Sequence, residues 1–428
     1  MKFLFITIES LAGDLAWAIR KEGHEVKYFI RNEDYKDVHD GFVDKVNDWR
    51  EHTDWADVII FDDIGYGKEA DELRQAGKLV VGGGVYTEKL EENRGFGQTE
   101  MKRLGIKTLQ CWDFNDFEAL LTFLKDNPGR YVFKPSDDLD FQSPEKDLIY
   151  IGQDESGQDL YEIIKSNKKY LTKIIRKFQL QEYASGVEIS SGAFFNGKKF
   201  IYPISVGFEH KRLFPNNIGP LTGEMGTLHY FDNARNKIFR ATTARFEKDL
   251  ANSGYIGFID INCMVNESGI YPLEFTCRFG YPYISIQMEG IDSKFGEFFY
   301  KLAKGEDQKL KINNIFQVGV VCCVPPFPYD DKTRVNIYKD LSIIFKKPNL
   351  FYKGIHLGDV KIVDDVWRIA GDAGYVLVIA GSAPTVSKAR KLAYDKVNRV
   401  LIQNMYYRND IGASWTKDRR RLKKWGYI

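Results

Sequence analysis

The chain has 428 residues, 43% hydrophobic and 28% charged, which suits a globular protein with a sizeable core in roughly two to four domains or lobes. Its 61 Lys and Arg against 60 Asp and Glu leave a net charge of +1, so no global field selects for nucleic acid or a membrane surface. Five cysteines (111, 263, 277, 322 and 323) include no CxxC and no His at ligand spacing, which argues against zinc and for reduced, mostly buried thiols. The start has too short an apolar run for a signal peptide and no run reaches transmembrane length, so a cytoplasmic protein is expected.

Lys2 to Thr7 is an apolar run, and Gly13 to Glu22 has helical periodicity through Leu15, Ala16 and Ile19. Glu25 to Ile30 reads as a second strand and Asp57 to Asp63 as a third with acidic residues at its carboxyl end. Glu69 to Ala76 is a helix closed by Gly77, and Lys78 to Val81 a fourth strand. Strands alternating with helices predict a doubly wound parallel unit, which binds ligands outside the carboxyl ends of its strands. Those ends carry Glu9-Ser10, Asp62-Asp63 and Gly82-Gly83-Gly84, none of them a GxGxxG phosphate fingerprint.

Leu90 to Leu104 and Phe117 to Leu124 read as helices. Tyr131 to Ser136 is a strand whose Lys134 either snorkels or meets an anion, Asp137 to Asp147 is a polar loop, and Leu148 to Ile151 is a strand. Phe178 to Ser190 reads strand, small-residue turn, strand, with Glu182 and Glu188 on either side of the bend. Glu209-His210-Lys211-Arg212 precedes the loop Gly219 to Gly226, GPLTGEMG, whose backbone N–H groups and neighbouring cations suit an anion.

Gly254 to Ile284 is the most informative stretch. GFIDINCMV and IYPLEFTCRFG are strands around the turn NESG. Side chains alternate, so Asp260 and Asn262 form one polar row, and Glu274, Thr276 and Arg278 another. Such oxygens suit a hard cation such as Mg²⁺; a solvated polar face is the alternative. Further on, Gln317 to Val324, Gly354 to Trp367 and Gly374 to Ala380 are strand-like, and Pro384 to Ile402 is an amphipathic helix, giving a small α+β lobe. The run Lys417 to Lys424 is a basic tail, read first as a solvated face.

From about residue 90 onward the chain resembles the ATP-grasp ligases, and within them the phosphoribosylamine–glycine ligases. The matches run in the family's order: QEYASGVEIS, EHKR with GPLTGEMG, GFIDINCMV with PLEFTCRFG, and AYDKV with YYRNDIG. The resemblance implies ATP and Mg²⁺ (or Mn²⁺) as cofactors. It implies activation of a small amino acid, classically glycine, as an acyl phosphate, and coupling to an amine, phosphoribosylamine or another acceptor. It gives Arg278 to the transferred phosphoryl group. Lys134, Glu182, Tyr183, Ala184, Glu188 and His210 fall to the nucleotide. Lys211 and Arg212, with Glu209, Thr222, Gly223, Glu224, Met225 and Gly226, fall around the amino acid and acyl phosphate. Glu274 falls to the metal, with Asp260, Asn262 and Thr276 as the other candidate ligands.

The departures are specific. RFGDPE of the family is RFGYPY here, and the metal strand's EFN is Glu274-Phe275-Thr276. Asp137 to Asp147 stands where a glycine-rich lid loop is expected. Of the family's GGREHALAW loop only the LAW end survives, and its GPE loop is replaced by Asp62 to Gly67, where acidic residues would repel a phosphate on the amine. The expected division is an N-terminal α/β domain over 1–92, an ATP-grasp region of antiparallel sheets and helices over 93–325 with a lid near 125–190, and a C-terminal α+β domain over 326–428. A monomer or homodimer is expected, with nucleic acid a partner only through the tail. A catalytically weakened nucleotide-binding protein is the reading from another class.

Overall fold

The computed structural model describes residues 1–135, 148–329, 331–346 and 353–428; the Asp137 to Asp147 loop lies outside them. The chain forms two compact units. One comprises Met1–Glu88, Glu188–Asn262 and Phe275–Ile428; the other Lys89–Val187 and Cys263–Glu274. This division differs from the three spans read in the sequence. The physical reason is sheet continuity: the Phe316–Cys323 and Tyr375–Ala383 strands pair with each other, so the last hundred residues share a sheet with the middle of the chain.

The first unit begins with a five-stranded parallel sheet. Its order is Asp44–Lys45, Glu25–Ile30, Lys2–Thr7, Val58–Phe61, Val80–Val81. Phe3, Phe5 and Ile60 pack on one face with Leu15, Ala16 and Ile19 of the Gly13–Lys21 helix. Leu4, Ile6, Ile59 and Phe61 pack on the other with Trp49, Tyr66 and Ala70. A strand buried on both faces reads as a continuous apolar run, as KFLFIT and VIIF do. The unit's larger sheet includes, in order, Ile256–Asn266, Val187–Asn196, Phe200–Glu209, Gly226–Asp232, Phe316–Cys323, Tyr375–Ala383 and Ile355–Leu357. The Val386–Val397 helix comes down on it at Gly381, where a Cβ would collide with Ala389.

The second unit holds a four-stranded sheet, Cys111–Phe114, Phe178–Glu182, Tyr131–Pro135, Tyr150–Ile151. Period-two alternation divides its faces. Tyr131, Phe133, Phe178 and Leu180 pack against Leu120, Leu124, Ile164 and Leu171 of the Phe117–Asp126 and Gln158–Ile174 helices. Lys134, Gln179 and Gln181 take the other face.

Two expectations are corrected. The helix read over Leu90 to Leu104 is two helices, Val85–Glu92 and Arg94–Arg103, because Asn93 leaves helical geometry and its Oδ1 accepts from Phe96 N–H at 2.8 Å. Gly354 to Trp367 is no single strand. It contains Ile355–Leu357 and a hairpin, Val360–Val363 with Val366–Ile369, turned by Asp364 and Asp365 in the left-handed region at φ 53° and 59°.

Candidate functional site

In the first unit the edge of the large sheet gathers residues that the sequence placed in separate segments. The Ile256–Asn266 strand lies beside Val187–Asn196. The close approach depends on Gly192, where a Cβ would collide with the Cβ of Asp260 and the carbonyl of Ile259. Asp260 and Asn262 are thereby buried, at 3% and 2% exposure, which removes the reading of a solvated polar face for their row, whereas Glu274 of the other row is exposed.

Asn262 Nδ2 donates to Glu188 Oε1 at 2.8 Å and approaches Glu209 Oε2 at 3.4 Å. Lys211 Nζ lies 3.4 Å from Glu209 and 3.7 Å from the same Glu188 oxygen. With its N–H groups so committed, Asn262 keeps a buried Oδ1 that lacks a hydrogen-bond partner among the described residues. Glu224 is buried too, with Oε1 unpartnered; burial and then the charge of Glu209 push its carboxyl well above the usual range, with Lys211 opposing. Burial beside Glu209, with further negative charge from Asp260 and Glu188, favours the protonated carboxyl of Glu224.

The neighbouring segment is framed rather than open. Arg212 donates to Gly219 O at 2.7 Å, and Thr222 caps Lys211 O at 2.8 Å through both N–H and Oγ1. Gly223 faces open space, whereas Met225 sits in the core with Leu213, Ile286 and Tyr375, and Gly226 passes so close to Gly319 O that no Cβ fits. His210 is buried, accepts from Gly412 N–H at 3.3 Å, and is held neutral by burial, its pKa down to about 4. Sequence reading missed Arg408, the largest of the fully buried side chains; it forks onto Asp410 at 2.8 Å twice and donates to Arg212 O at 2.8 Å. The only sequence signal for it was YYRNDIG. Arg278 pairs with Asp63 at 3.3 Å, and Thr276 is half-buried at the end of its strand.

In the second unit Lys134 Nζ donates to Gln181 Oε1 at 2.7 Å, and Gln181 Nε2 reaches Cys111 Sγ at 3.4 Å. Gln98 bridges Gln179 and Cys111 at 3.1 and 3.3 Å. Glu182 N–H donates to Gln110 O at 2.9 Å and Tyr183 N–H to Arg130 O at 3.0 Å; the Arg130 guanidinium stacks over the Tyr183 ring at 3.7 Å, and Ala184 follows this clamp. A cleft of about 400 Å³ adjoins the sheet, lined by Asn93, Arg94, Asp113, Pro135, Lys177 and Gln179. Arg94 and Lys177, two cations there, were not singled out from the sequence. Glu274, in this unit, is exposed.

Among the described residues no three His, Cys, Asp or Glu side chains form a metal-holding group. Asp260 and Asn262, buried on one strand, still offer oxygens of the kind Mg²⁺ takes beside water and substrate phosphate, the Asn262 Oδ1 being without a partner among the described residues. Among the described residues no helix is long and apolar enough to cross a membrane.

Residues 92–284 match the model of the phosphoribosylglycinamide synthetase ATP-grasp (A) domain. The phosphoribosylamine–glycine ligase of Clostridium acetobutylicum is 26% identical over 362 residues, covering 80% of this chain and 81% of that one. The crystal structure of the Thermotoga maritima phosphoribosylamine–glycine ligase superposes with a TM-score of 0.72 at 21% identity, over 96% of this chain and 100% of that one. The biotin carboxylase domain of Hydrogenobacter thermophilus 2-oxoglutarate carboxylase, solved with MgADP, gives 0.63 at 13% identity, over 99% and 97%. Residues 92–284 thus match an ATP-grasp domain, and the chain shares its fold with the phosphoribosylamine–glycine ligases and resembles them over most of its length.

Proposed function

We propose that this protein is an ADP-forming carboxylate–amine ligase. It activates a small amino acid, glycine first, and joins it to an amine. The observation that carries the reading is the Glu188–Asn262–Glu209–Lys211 assembly, in which an ammonium and the amide N–H groups of a buried Asn262 converge on two half-buried acids and leave the amide oxygen available to a cation.

The chemistry is phosphoryl transfer followed by acyl transfer. An oxygen of the amino-acid carboxylate bonds to the γ-phosphorus of ATP, and the bond to the β-bridging oxygen breaks. The amine nitrogen then bonds to the acyl carbon as phosphate departs, and the nitrogen loses its proton. Positioning and charge neutralisation do most of the work. Lys134, with Arg94 and Lys177, offers charge to phosphates, and Glu182, Tyr183, Ala184, Glu188 and His210 are the candidates around the nucleoside. Lys211 and Arg212 orient the reacting carboxylate and acyl phosphate, with Glu209 and the segment Thr222 to Gly226 around them. Arg278 steadies the transferred group. Glu274, Asp260, Asn262 and Thr276 would hold Mg²⁺, which neutralises phosphate charge when bound.

ADP release with Mg-ATP, glycine and hydroxylamine tests the reading, since hydroxylamine converts an activated acyl group to a hydroxamate without the natural acceptor. Amino-acid-dependent ADP and hydroxamate are expected. Nucleotide binding without turnover for any amino acid would sink the enzyme in favour of a regulatory nucleotide-binding protein.

A further inference from the structure

We propose that the amine acceptor of this protein carries no phosphate, because the helix terminus that would receive one is filled by the chain's own Asp62 and His39, and that Glu9, Asp62 and Asp63 meet the acceptor as an ammonium or hydroxyl donor. The inference rests on the ligase reading and names its second substrate class.

A parallel α/β unit offers an anion the N-terminus of the helix after its first strand, where backbone N–H groups lack helical partners. Here that helix is Gly13–Lys21, and Ala12 before it has no side-chain cap. The anion is internal: Ala12 N–H donates to Asp62 Oδ2 at 2.8 Å. The space over Gly13 is also taken, since a Cβ there would collide with the His39 ring.

His39 is clamped. Its Nε2 lies 2.9 Å from Gly358 O and its Nδ1 2.7 Å from Ser10 Oγ. A carbonyl only accepts, so Nε2 carries the proton and Nδ1 takes that of Ser10. Burial lowers the His39 pKa to about 4, so the ring brings no positive charge. Phosphate would have to expel both side chains and sit beside Asp62 and Asp63, with Arg278 already paired to Asp63 at 3.3 Å.

A second observation points to the ligand that does fit. Asp62 is fully buried and, among the described residues, its Oδ1 has no hydrogen-bond partner. A buried carboxylate oxygen left so costs free energy until a donor arrives. Glu9, two residues after the first strand, and Asp63, two residues after Val58–Phe61, add two acids to the same edge, with Arg278 as the counter-charge on Asp63. Burial and Asp63 also push the Asp62 carboxyl up to about 7, so it is poised to hold or release a proton near neutrality.

The test uses the full chain with Mg-ATP and glycine. Hydroxamate formation is measured first; its absence sinks the ligase reading, and this proposal with it. With hydroxamate formed, acceptors are compared as matched pairs, ribosylamine with phosphoribosylamine and ethanolamine with phosphoethanolamine. The phosphate-free member should have the higher kcat/KM, by about tenfold or more. A phosphorylated member superior by that factor would overturn the proposal. Calorimetry with ribose 5-phosphate, in saturating Mg²⁺ and a non-hydrolysable ATP analogue, decides without turnover. No saturable binding is expected, and saturable binding that Gly13→Val abolishes would refute the idea. Asp62→Asn should lower kcat/KM for a phosphate-free amine about tenfold; an unchanged value would remove Asp62 from the contact.

Discussion

Arg278 Nε stands 3.3 Å from Asp63 Oδ1, so the guanidinium proposed to steady the transferred phosphoryl group is held by an acid at the carboxyl end of the parallel sheet. Arg278 also donates to Phe279 O at 3.3 Å, and both groups of the pair are largely buried. A positioned guanidinium is worth more in a transition state than a mobile one. Arg278→Ala should lower amino-acid-dependent ADP formation about 10²–10³-fold with nucleotide binding retained. Asp63→Asn should lower kcat by about tenfold through misplacement of the arginine. Steady-state kinetics of both variants, with calorimetric nucleotide binding, check this; wild-type kcat in Asp63→Asn would refute the positioning.

Asn262 uses its two ends differently, Nδ2 toward Glu188 and Glu209 and Oδ1 toward no protein partner. Asn262→Asp exchanges the donor for an acceptor beside two carboxylates, so like charges meet where a hydrogen bond stood. Despite the added carboxylate, the apparent Mg²⁺ requirement should rise and kcat/KM fall about tenfold or more. A magnesium titration of initial rates measures it, and a variant that saturates at lower Mg²⁺ than wild type would contradict the arrangement.

Much of this site was legible in the sequence because its chemistry is carried by short strands with fixed alternation. Asp260 and Asn262 are two residues apart and share a face; Glu188 and Glu209 lie near the open end of two antiparallel strands, Val187–Asn196 and Phe200–Glu209, that a short turn joins at their other end. What was not legible came from pairs distant in sequence. His39 acts on Ser10 and Gly358, and Arg408 on Arg212, 196 residues away. No local period records such contacts. Likewise the split at Asn93 turned on one capping side chain, which a helical pattern on both sides conceals.

Gly192 is such a hidden constraint, since its need for no side chain comes from the strand opposite. Gly192→Ala should destabilise the protein by about 1–3 kcal/mol through overpacking. It should also raise the Mg²⁺ concentration needed for half-maximal rate, because the nearest obstruction is Asp260 itself. Gly223→Ala, which meets open space, should leave the urea midpoint unchanged. Urea unfolding of the three proteins checks the ordering; equal midpoints would show that the strands separate without cost.

His356 ties the helix start to the C-terminal part of the chain. Its Nδ1 lies 2.7 Å from Asp14, its Nε2 3.3 Å from Glu289, and Ser285 Oγ also donates to Asp14 at 3.2 Å. Burial opposes charge on the imidazole, but Asp14 and Glu289 outweigh it and raise the pKa to about 10, while His356 lowers that of Asp14. The unfolded histidine titrates near 6.5. The folded state therefore holds an extra proton between about pH 6.5 and 10, and stability falls as pH rises through that window, by up to about 1.4 kcal/mol per unit. The contribution is complete below about pH 6.5 and gone above the folded pKa. Asp14 acts in the opposite sense, its share being lost as pH falls below the ordinary carboxylate range. Urea midpoints at pH 7 and 9 should drop for the wild type and change much less for His356→Leu, whose pocket no longer titrates. Parallel slopes in the two proteins would show that the proton is not on this histidine.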